Sequence, residues 1–341
     1  MNFRESFYDL LFYNPFFKRL AISFLNSPLI GNNFLYQYFN NKNIKRVMDK
    51  YKKAPSLVVI ENTNLCNSHC SMCPHDVMKR KQGVMAMNLF KKIIDDCAEI
   101  GVDHITLHNF GEPLIDKDFV SRVKYAKSKG ISYVGTSTNG ALLTTAISKQ
   151  IIESGLDAIN FSLDAFSKEA YQKIRVGLPY EKVMKNVKEF IDIRRNLGVR
   201  KPKIIVDMIE TKFNQNERAN FIAEWQNSVD KVNITTLHSW GGSFKDRAGK
   251  GDLHSSLNKI KREPCRFLWT DMVILWNGQI SACCQDYDGR LIVGDLTKNS
   301  LSEIWRGKIL ETLRKSHLKG DYSQVSVCNL CDYRSVWWLF N

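Results

Sequence analysis

"SLVVIENTNLCNSHCSMC", residues 56–73, joins a strand to a cluster of thiols. Leu57–Ile60 is a continuous apolar run rich in β-branched residues, as expected of a strand buried on both faces. It runs out into Cys66, Cys70 and Cys73, spaced C-x3-C-x2-C. A closed structural zinc site takes four ligands, so three thiols leave one position open unless His69 or His75 completes the set. Soft thiolates also select iron–sulfur clusters. A four-iron cluster held by three cysteines keeps one iron free to bind a small molecule, which points to catalysis rather than simple electron transfer.

The strand is the first of a series. "VDHITLHNF" (102–110), "ISYVGTST" (131–138), "LDAINFSLD" (156–164), "PKIIVDMIET" (202–211) and "DKVNITTLH" (230–238) carry the same strand signature. Helical periodicity separates them at 88–101, 119–130, 146–155, 180–198 and 217–228. Repeated strand–helix units imply a parallel sheet with right-handed crossovers. Six units predict an α/β fold, a partial (β/α)6 TIM-like barrel. Such barrels keep their chemistry at the C-terminal ends of the strands. "FGEP" (110–113), "STNG" (137–140), "SLDA" (162–165) and "HSWGG" (238–242) all fall there, beside the thiols.

Beyond residue 250 the pattern changes. "MVILWNGQISACC" (272–284) predicts two short strands around Asn277-Gly278, a type I′ hairpin signal. "SLSEIWRGKILETLRK" (300–315) predicts a helix, and "CNLC" (328–331) follows. The expected organisation is a helical extension over 1–53, a barrel core over 54–250 and a small α+β domain over 251–341. Within the extension, Asn14 and Pro15 open a helix that puts Phe17, Leu20, Ala21, Phe24 and Leu25 on one face. That face packs on the barrel or, helped by Lys18 and Arg19, lies on a membrane surface. Residues 40–53 predict a charged connector or helix.

Composition narrows the class. The chain of 341 residues is 44% hydrophobic, enough for one large domain or two. Glu5 and Asp9 interrupt the first apolar stretch, and no apolar run reaches the length of a membrane span. A cytoplasmic protein is expected, and there nine cysteines point to metal or catalysis rather than disulfides. The formal charge of +14 favours an anionic partner. Cys97, on an amphipathic helix, reads as a core residue.

The trio after strand one, with Met72 before the third cysteine, "GEP", "STNG" and "SLDA", resembles the radical S-adenosylmethionine (SAM) enzymes over residues 56 to about 240. The resemblance implies a 4Fe-4S cluster on Cys66, Cys70 and Cys73, with SAM chelating the open iron. Reductive cleavage of SAM then yields a 5′-deoxyadenosyl radical that abstracts hydrogen from substrate. It further implies that Gly111, Glu112 and Pro113 meet the methionyl amino group, and that Ser162 and Arg175 hold the carboxylate. Ser137, Asn139 and Asp164 would serve the sugar and the pocket. One departure stands out: Phe110 occupies a position where the family often has a second glycine.

Cys265, Cys283, Cys328 and Cys331 resemble the auxiliary-cluster domain of the SPASM type, trimmed to the twitch form with a single, fully ligated 4Fe-4S cluster. Cys283 and Cys284 compete for one ligand slot, and Gly278-x4-Cys favours Cys283. A zinc ribbon is the competing reading of the C-x2-C segment. The closest functional analogue is the aminocyclitol radical SAM dehydrogenase. The expected activity is oxidation of a polar small molecule, alcohol to carbonyl, such as a sugar or sugar nucleotide, with the auxiliary cluster as electron acceptor. Peptide modification, epimerisation and a non-catalytic metal-binding role are the alternatives. The implied partners are a small-molecule substrate, anionic if the charge is decisive, and a one-electron reductant of the flavodoxin or ferredoxin type. No nucleic acid is expected. Arg247, in the loop 241–250, and His108, at the end of strand two, are the candidates for binding the substrate hydroxyl and moving its proton.

Overall fold

A computed structural model describes residues 34–237, 239–243, 262–323 and 325–331. The predicted helix over 14–25 and Arg247 lie outside the described residues. Six strands follow the expected order: β1 Leu57–Ile60, β2 His104–Thr106, β3 Tyr133–Thr138, β4 Ala158–Ser162, β5 Lys203–Glu210 and β6 Lys231–Thr236. Each pairs in parallel with its sequence neighbour. The helices Met87–Glu99, Phe119–Ser128, Thr145–Glu153 and Tyr180–Asn196 cover one face. Val58, Ile60, Ile105, Val134, Phe161, Val206 and Met208 pack there against Phe90, Ile94, Val123, Val187 and Phe190. The alternate residues of each strand face the barrel lumen. This is the partial barrel that the strand–helix pattern predicted. A further helix, Lys168–Ile174, capped by Ser167, sits between β4 and the helix Tyr180–Asn196.

The sheet does not stop at the core. β7, Asp271–Ile274, runs parallel beside β1, register Leu57↔Asp271 to Ile60↔Ile274. β8, Gln279–Ser281, and β9, Ile292–Asp295, continue it antiparallel. The result is one nine-stranded sheet, ordered β6-β5-β4-β3-β2-β1-β7-β8-β9. The hairpin between β7 and β8 is not type I′. That turn needs positive φ at both central residues. Here Gly278 alone is left-handed (φ 89°), and its N–H bonds Leu275 O at 2.9 Å. The turn spans Leu275–Gly278 and ends in a glycine bulge, a three-residue-loop geometry.

The helix expected over 300–315 is two helices, Leu301–Trp305 and Lys308–Leu318, separated at Gly307, which is extended (φ −70°, ψ 153°). The first carries a capping box between Ser300 and Glu303. Residues 34–50 form a helix. Its buried Ile44 and Val47 join the main core, and Trp305 Nε1–H reaches Tyr51 O at 2.9 Å.

Candidate active site

The cysteine trio lies on one loop, closed at its base by local hydrogen bonds. Thr63 Oγ1 donates to Gly83 O (2.8 Å), Asn64 Nδ2 to Lys81 O (3.0 Å), and Gly83 N to Asn64 Oδ1 (2.8 Å). Ser68 Oγ stands between Cys66 Sγ (3.2 Å) and Cys70 Sγ (3.4 Å). Burial pushes the Cys66 thiol up and Cys73 up to about 12, with the neighbouring thiols adding to both. Buried thiols of this kind ionise when a cation takes them as ligands. The two histidines are engaged elsewhere: His69 Nδ1 with Asp76 (2.8 Å), His75 Nε2 with Asn64 O (2.8 Å). Among the described residues, no group of three or more His, Cys, Asp or Glu converges as a single metal ion would require.

Behind the trio sits the "GEP" segment. Gly111 is pressed on the loop backbone: an added Cβ would lie 2.3 Å from Thr63 O and 2.8 Å from Leu65 O. Only glycine permits that approach. The Glu112 carboxylate is buried and turned inward. It accepts Thr138 Oγ1 (2.6 Å), Asn139 N (2.8 Å) and Leu114 N (3.1 Å). It thereby ties "GEP" to "STNG", and Asn139 Nδ2 goes on to Asn67 Oδ1 in the cysteine loop at 2.8 Å. Below them, Arg122 Nε and Asn62 Nδ2 both donate to the buried Asp116 carboxylate, at 2.6 and 2.9 Å.

Ser137 lies on β3 and Ser162 ends β4, both half-buried toward the lumen. Asp164, left-handed at φ 61°, is fully buried. Its carboxylate accepts Ile209 N (2.7 Å) and Arg175 Nε (2.5 Å). Arg175 Nη1 reaches Cys70 Sγ at 3.4 Å, so this guanidinium spans from Asp164 to the thiol trio. Pro113 begins a short 3-10 turn on the far side of Glu112.

Sequence reasoning named His108, Ser137 and Ser162 in the lumen but missed its other polar residues, Thr106, Asn160, Asp207 and Asn233. These carry no motif; only their alternation with the apolar face could have revealed them. Asp207 of β5 faces the lumen between Asn233 of β6, which donates Nδ2 at 2.9 Å, and Asn160 of β4. Burial, with Asp164 nearby, raises Asp207 to about 6. Among the described residues, three buried lumen atoms lack a hydrogen-bond partner: Thr106 Oγ1, His108 Nδ1 and Asn233 Oδ1. His108 is deeply buried and pushed down to about 4 by desolvation, so it enters neutral. Glu61 is paired with Arg80, whose Nη1 lies 2.6 Å from Oε1.

The second thiol group is assembled from three segments. Cys265 senses Cys283, Cys331 and Cys328 as neighbouring charges, and Cys328 senses Cys283 and Cys331. Burial drives Cys265 well above the usual thiol range and Cys328 up to about 12. Cys284 lies next to Cys283. It packs on the lumen side with Val59, Val273 and Leu275, and its thiol hydrogen-bonds Cys283. Cys97 is buried in the main core. Between the two thiol groups, Gly241 and Gly242 pack against Val327 and Leu330, and Trp240 Nε1–H donates to Met72 O at 2.9 Å. The remainder of loop 241–250, from residue 244, lies outside the described residues.

An open trio at the rim of a partial parallel barrel, with four more thiols beyond it, is the arrangement of a radical SAM domain followed by an iron–sulfur domain. Residues 60–201 match the Radical SAM superfamily, and residues 265–332 match the iron–sulfur cluster-binding domain called SPASM. The chain carries both. The first implies a 4Fe-4S cluster and SAM, and the second implies auxiliary clusters. Three clustered thiols and four clustered thiols are donor sets that fit these groups.

Over 160 residues the chain is 34% identical to the tungsten-containing aldehyde ferredoxin oxidoreductase cofactor-modifying protein of Pyrococcus furiosus. That match spans 46% of this chain and 44% of the relative, so the chain covers less than half of it. The fold resembles BtrN in complex with AdoMet and 2-DOIA (TM-score 0.56, 18% identity, 82% of this chain and 93% of that one). It also resembles Streptococcus suis SuiB bound to precursor peptide SuiA (TM-score 0.64, 16% identity, 86% and 74%). Among the described residues, no helix is long and apolar enough to cross a membrane.

Proposed function

We propose that this radical SAM enzyme is an oxidoreductase that converts an alcohol of a polar, donor-rich small molecule to a carbonyl. The observation that carries this reading is the lumen: three unpartnered buried polar atoms, one of them on Asn233, which hydrogen-bonds the Asp207 carboxylate whose pKa is near that of a general base. When bound, the cluster and SAM supply the 5′-deoxyadenosyl radical that abstracts a hydrogen atom. The chain's residues do the rest. Gly111 and Glu112 fix the SAM-facing rim, and Arg175 places a cation beside Cys70 for the SAM carboxylate. Asn233 Oδ1 and the neutral His108 accept hydrogen bonds from substrate hydroxyls or amines. Asp207 takes the proton that leaves with oxidation. Cys265, Cys283, Cys328 and Cys331 hold the electron acceptor.

The lumen modifies the expectation of an anionic substrate. Asp207, the neutral His108 and the Arg80–Glu61 pair offer no net positive charge to an anion, which favours a neutral or amine-bearing polyol beside them. We assign the reductant to the flavodoxin or ferredoxin class, and place the domain boundary near residue 250.

One observation favours a second reading. Cys284 stands on the lumen side, beside Cys283 of the quartet, where a thiol could return a hydrogen atom and make the enzyme an epimerase. Anaerobic incubation with SAM and a panel of sugars, polyols and aminocyclitols separates the two. Oxidation gives two-hydrogen loss by mass spectrometry. Epimerisation gives deuterium uptake from heavy water without that loss. Turnover of a peptide alone would overturn both.

A further inference from the structure

The segment Trp240–Gly242 touches the loops that carry both thiol groups. Toward the trio, the Trp240 indole N–H donates to Met72 O (2.9 Å), the carbonyl that precedes Cys73. Toward the quartet, Gly241 N donates to the buried Gln285 Oε1 (2.9 Å), and Gln285 N in turn donates to Cys283 Sγ (3.4 Å). Hydrogen bonds and the short backbone between them therefore connect Cys73 to Cys283 without a break.

The packing is built to hold this line. Trp240 is one of two described non-glycine residues in the left-handed region (φ 50°), a conformation that persists only when its surroundings enforce it. Its ring lies 5.5 Å from Phe110, and Phe110 meets Tyr287 edge-on at 6.4 Å. Phe110 is the residue that departs from the family's glycine pair, and here it fills the wall between the two sites. Gly242 is left-handed (φ 81°) and an added Cβ would come within 2.0 Å of Leu330 O, inside the Cys328–Cys331 turn. A Cβ on Gly241 would meet Val327 at 3.0 Å. Trp240 thus sits on one ligand loop while the two glycines sit on the other.

We propose that Trp240–Gly242 with Gln285 is the electron route between the auxiliary site and the SAM-binding site. The route is through hydrogen bonds and packed rings, and no residue on it is itself oxidised. It rests on the oxidoreductase reading above and completes its balance. The substrate gives up a hydrogen atom to the 5′-deoxyadenosyl radical, a proton to Asp207 and an electron to the auxiliary site. That electron returns along the route to the SAM-binding site, which had spent one electron on cleaving SAM. The substrate loses two electrons and two hydrogens. SAM gains both electrons and leaves as methionine and 5′-deoxyadenosine. SAM is the oxidant, and the external reductant is needed only to start the cycle.

The test needs no substrate. The full chain, anaerobically reconstituted and assayed for iron, is reduced at both sites, freed of excess reductant and mixed with SAM. Rapid-freeze EPR follows the auxiliary signal while 5′-deoxyadenosine is quantified. In the wild type, the auxiliary signal should decay as a second equivalent of 5′-deoxyadenosine forms. In Trp240→Leu, with full iron, the first equivalent should be unchanged and the second slowed roughly tenfold. Gln285→Leu cuts the line at its other end and should do the same, so a folding defect in one variant does not decide the matter. An auxiliary signal that decays at the wild-type rate in both iron-replete variants would overturn the route. So would one that persists in the wild type while SAM is consumed. Substrate oxidation does not enter the measurement, so failure of the route and failure of the dehydrogenase reading are told apart.

Discussion

The two thiol groups of this protein are built in opposite ways. Cys66, Cys70 and Cys73 sit on one loop whose base is closed by its own residues, Thr63, Asn64 and Gly83. Polar groups border them: Ser68 between two thiols, Arg175 on the third side. Cys265, Cys283, Cys328 and Cys331 come from three separated segments and meet only when β7 and β8 join the sheet. A trio on a local scaffold, beside a rim that can receive a ligand, suits binding and activation. A quartet gathered by tertiary packing, with a thiol for every corner, suits holding a charge. The count of ligands sets what each can do; the neighbourhood sets where the ligand enters.

The strongest way to break this contrast is to remove the trio. Replacing Cys66, Cys70 and Cys73 with alanine should abolish SAM cleavage and remove about half of the bound iron, leaving the quartet loaded. Loss of all the iron would mean that the two sites do not assemble separately.

The space between the sites comes next. Asp207→Asn should lower product formation by roughly 10²- to 10⁴-fold while SAM cleavage continues. A base must be deprotonated to act, so wild-type turnover should be low below a pH of about 6 and rise through it. That limb should vanish in the variant. His108, held down at about 4, should give no inflection near the ordinary histidine value, and His108→Gln should leave the profile's shape unchanged. A limb that survives in Asp207→Asn would exclude Asp207 as the base.

At the quartet the contrast can be sharpened with one pair of variants. Cys283→Ala should lower iron content, and Cys284→Ala should not, because Cys284 packs with Val59, Val273 and Leu275 instead. Equal losses would mean that the two thiols exchange. The smallest effect concerns support rather than ligation. Arg122→Met leaves the buried Asp116 carboxylate without its cation, which should cost about 3–5 kcal/mol by chemical denaturation. Asp116 also accepts Asn62, so SAM affinity should fall with stability.

Much of the barrel was legible because its signals are local. Leu57–Ile60, Ile204–Val206 and the helix holding Phe90, Ile93, Ile94 and Cys97 announce themselves by composition and period. The trio was legible for the same reason, as three thiols in one short loop. The pairing of β7 with β1 was not, since its partners Leu57 and Asp271 are far apart in the chain. Asn277-Gly278 signals a turn but not its type, which shows only in the backbone, where Gly278 alone is left-handed. Asp207, Asn160 and Asn233 were invisible because a polar residue in a strand reads the same whether it faces water or a lumen. Glu112 illustrates a subtler limit. Its motif marks it as a site residue, and the structure adds a second role the motif does not show: its carboxylate accepts from Thr138, Asn139 and Leu114 and so holds the rim together.

The central claim is that one site is open to SAM and the other is closed to it. EPR of the anaerobically reconstituted, reduced chain, recorded with and without SAM, tests this most directly. The account predicts about eight irons per chain and two reduced-cluster signals. SAM should alter one signal only, and that signal should be missing from the Cys66, Cys70 and Cys73 variant. Zinc in place of iron, or SAM altering both signals or neither, would contradict it.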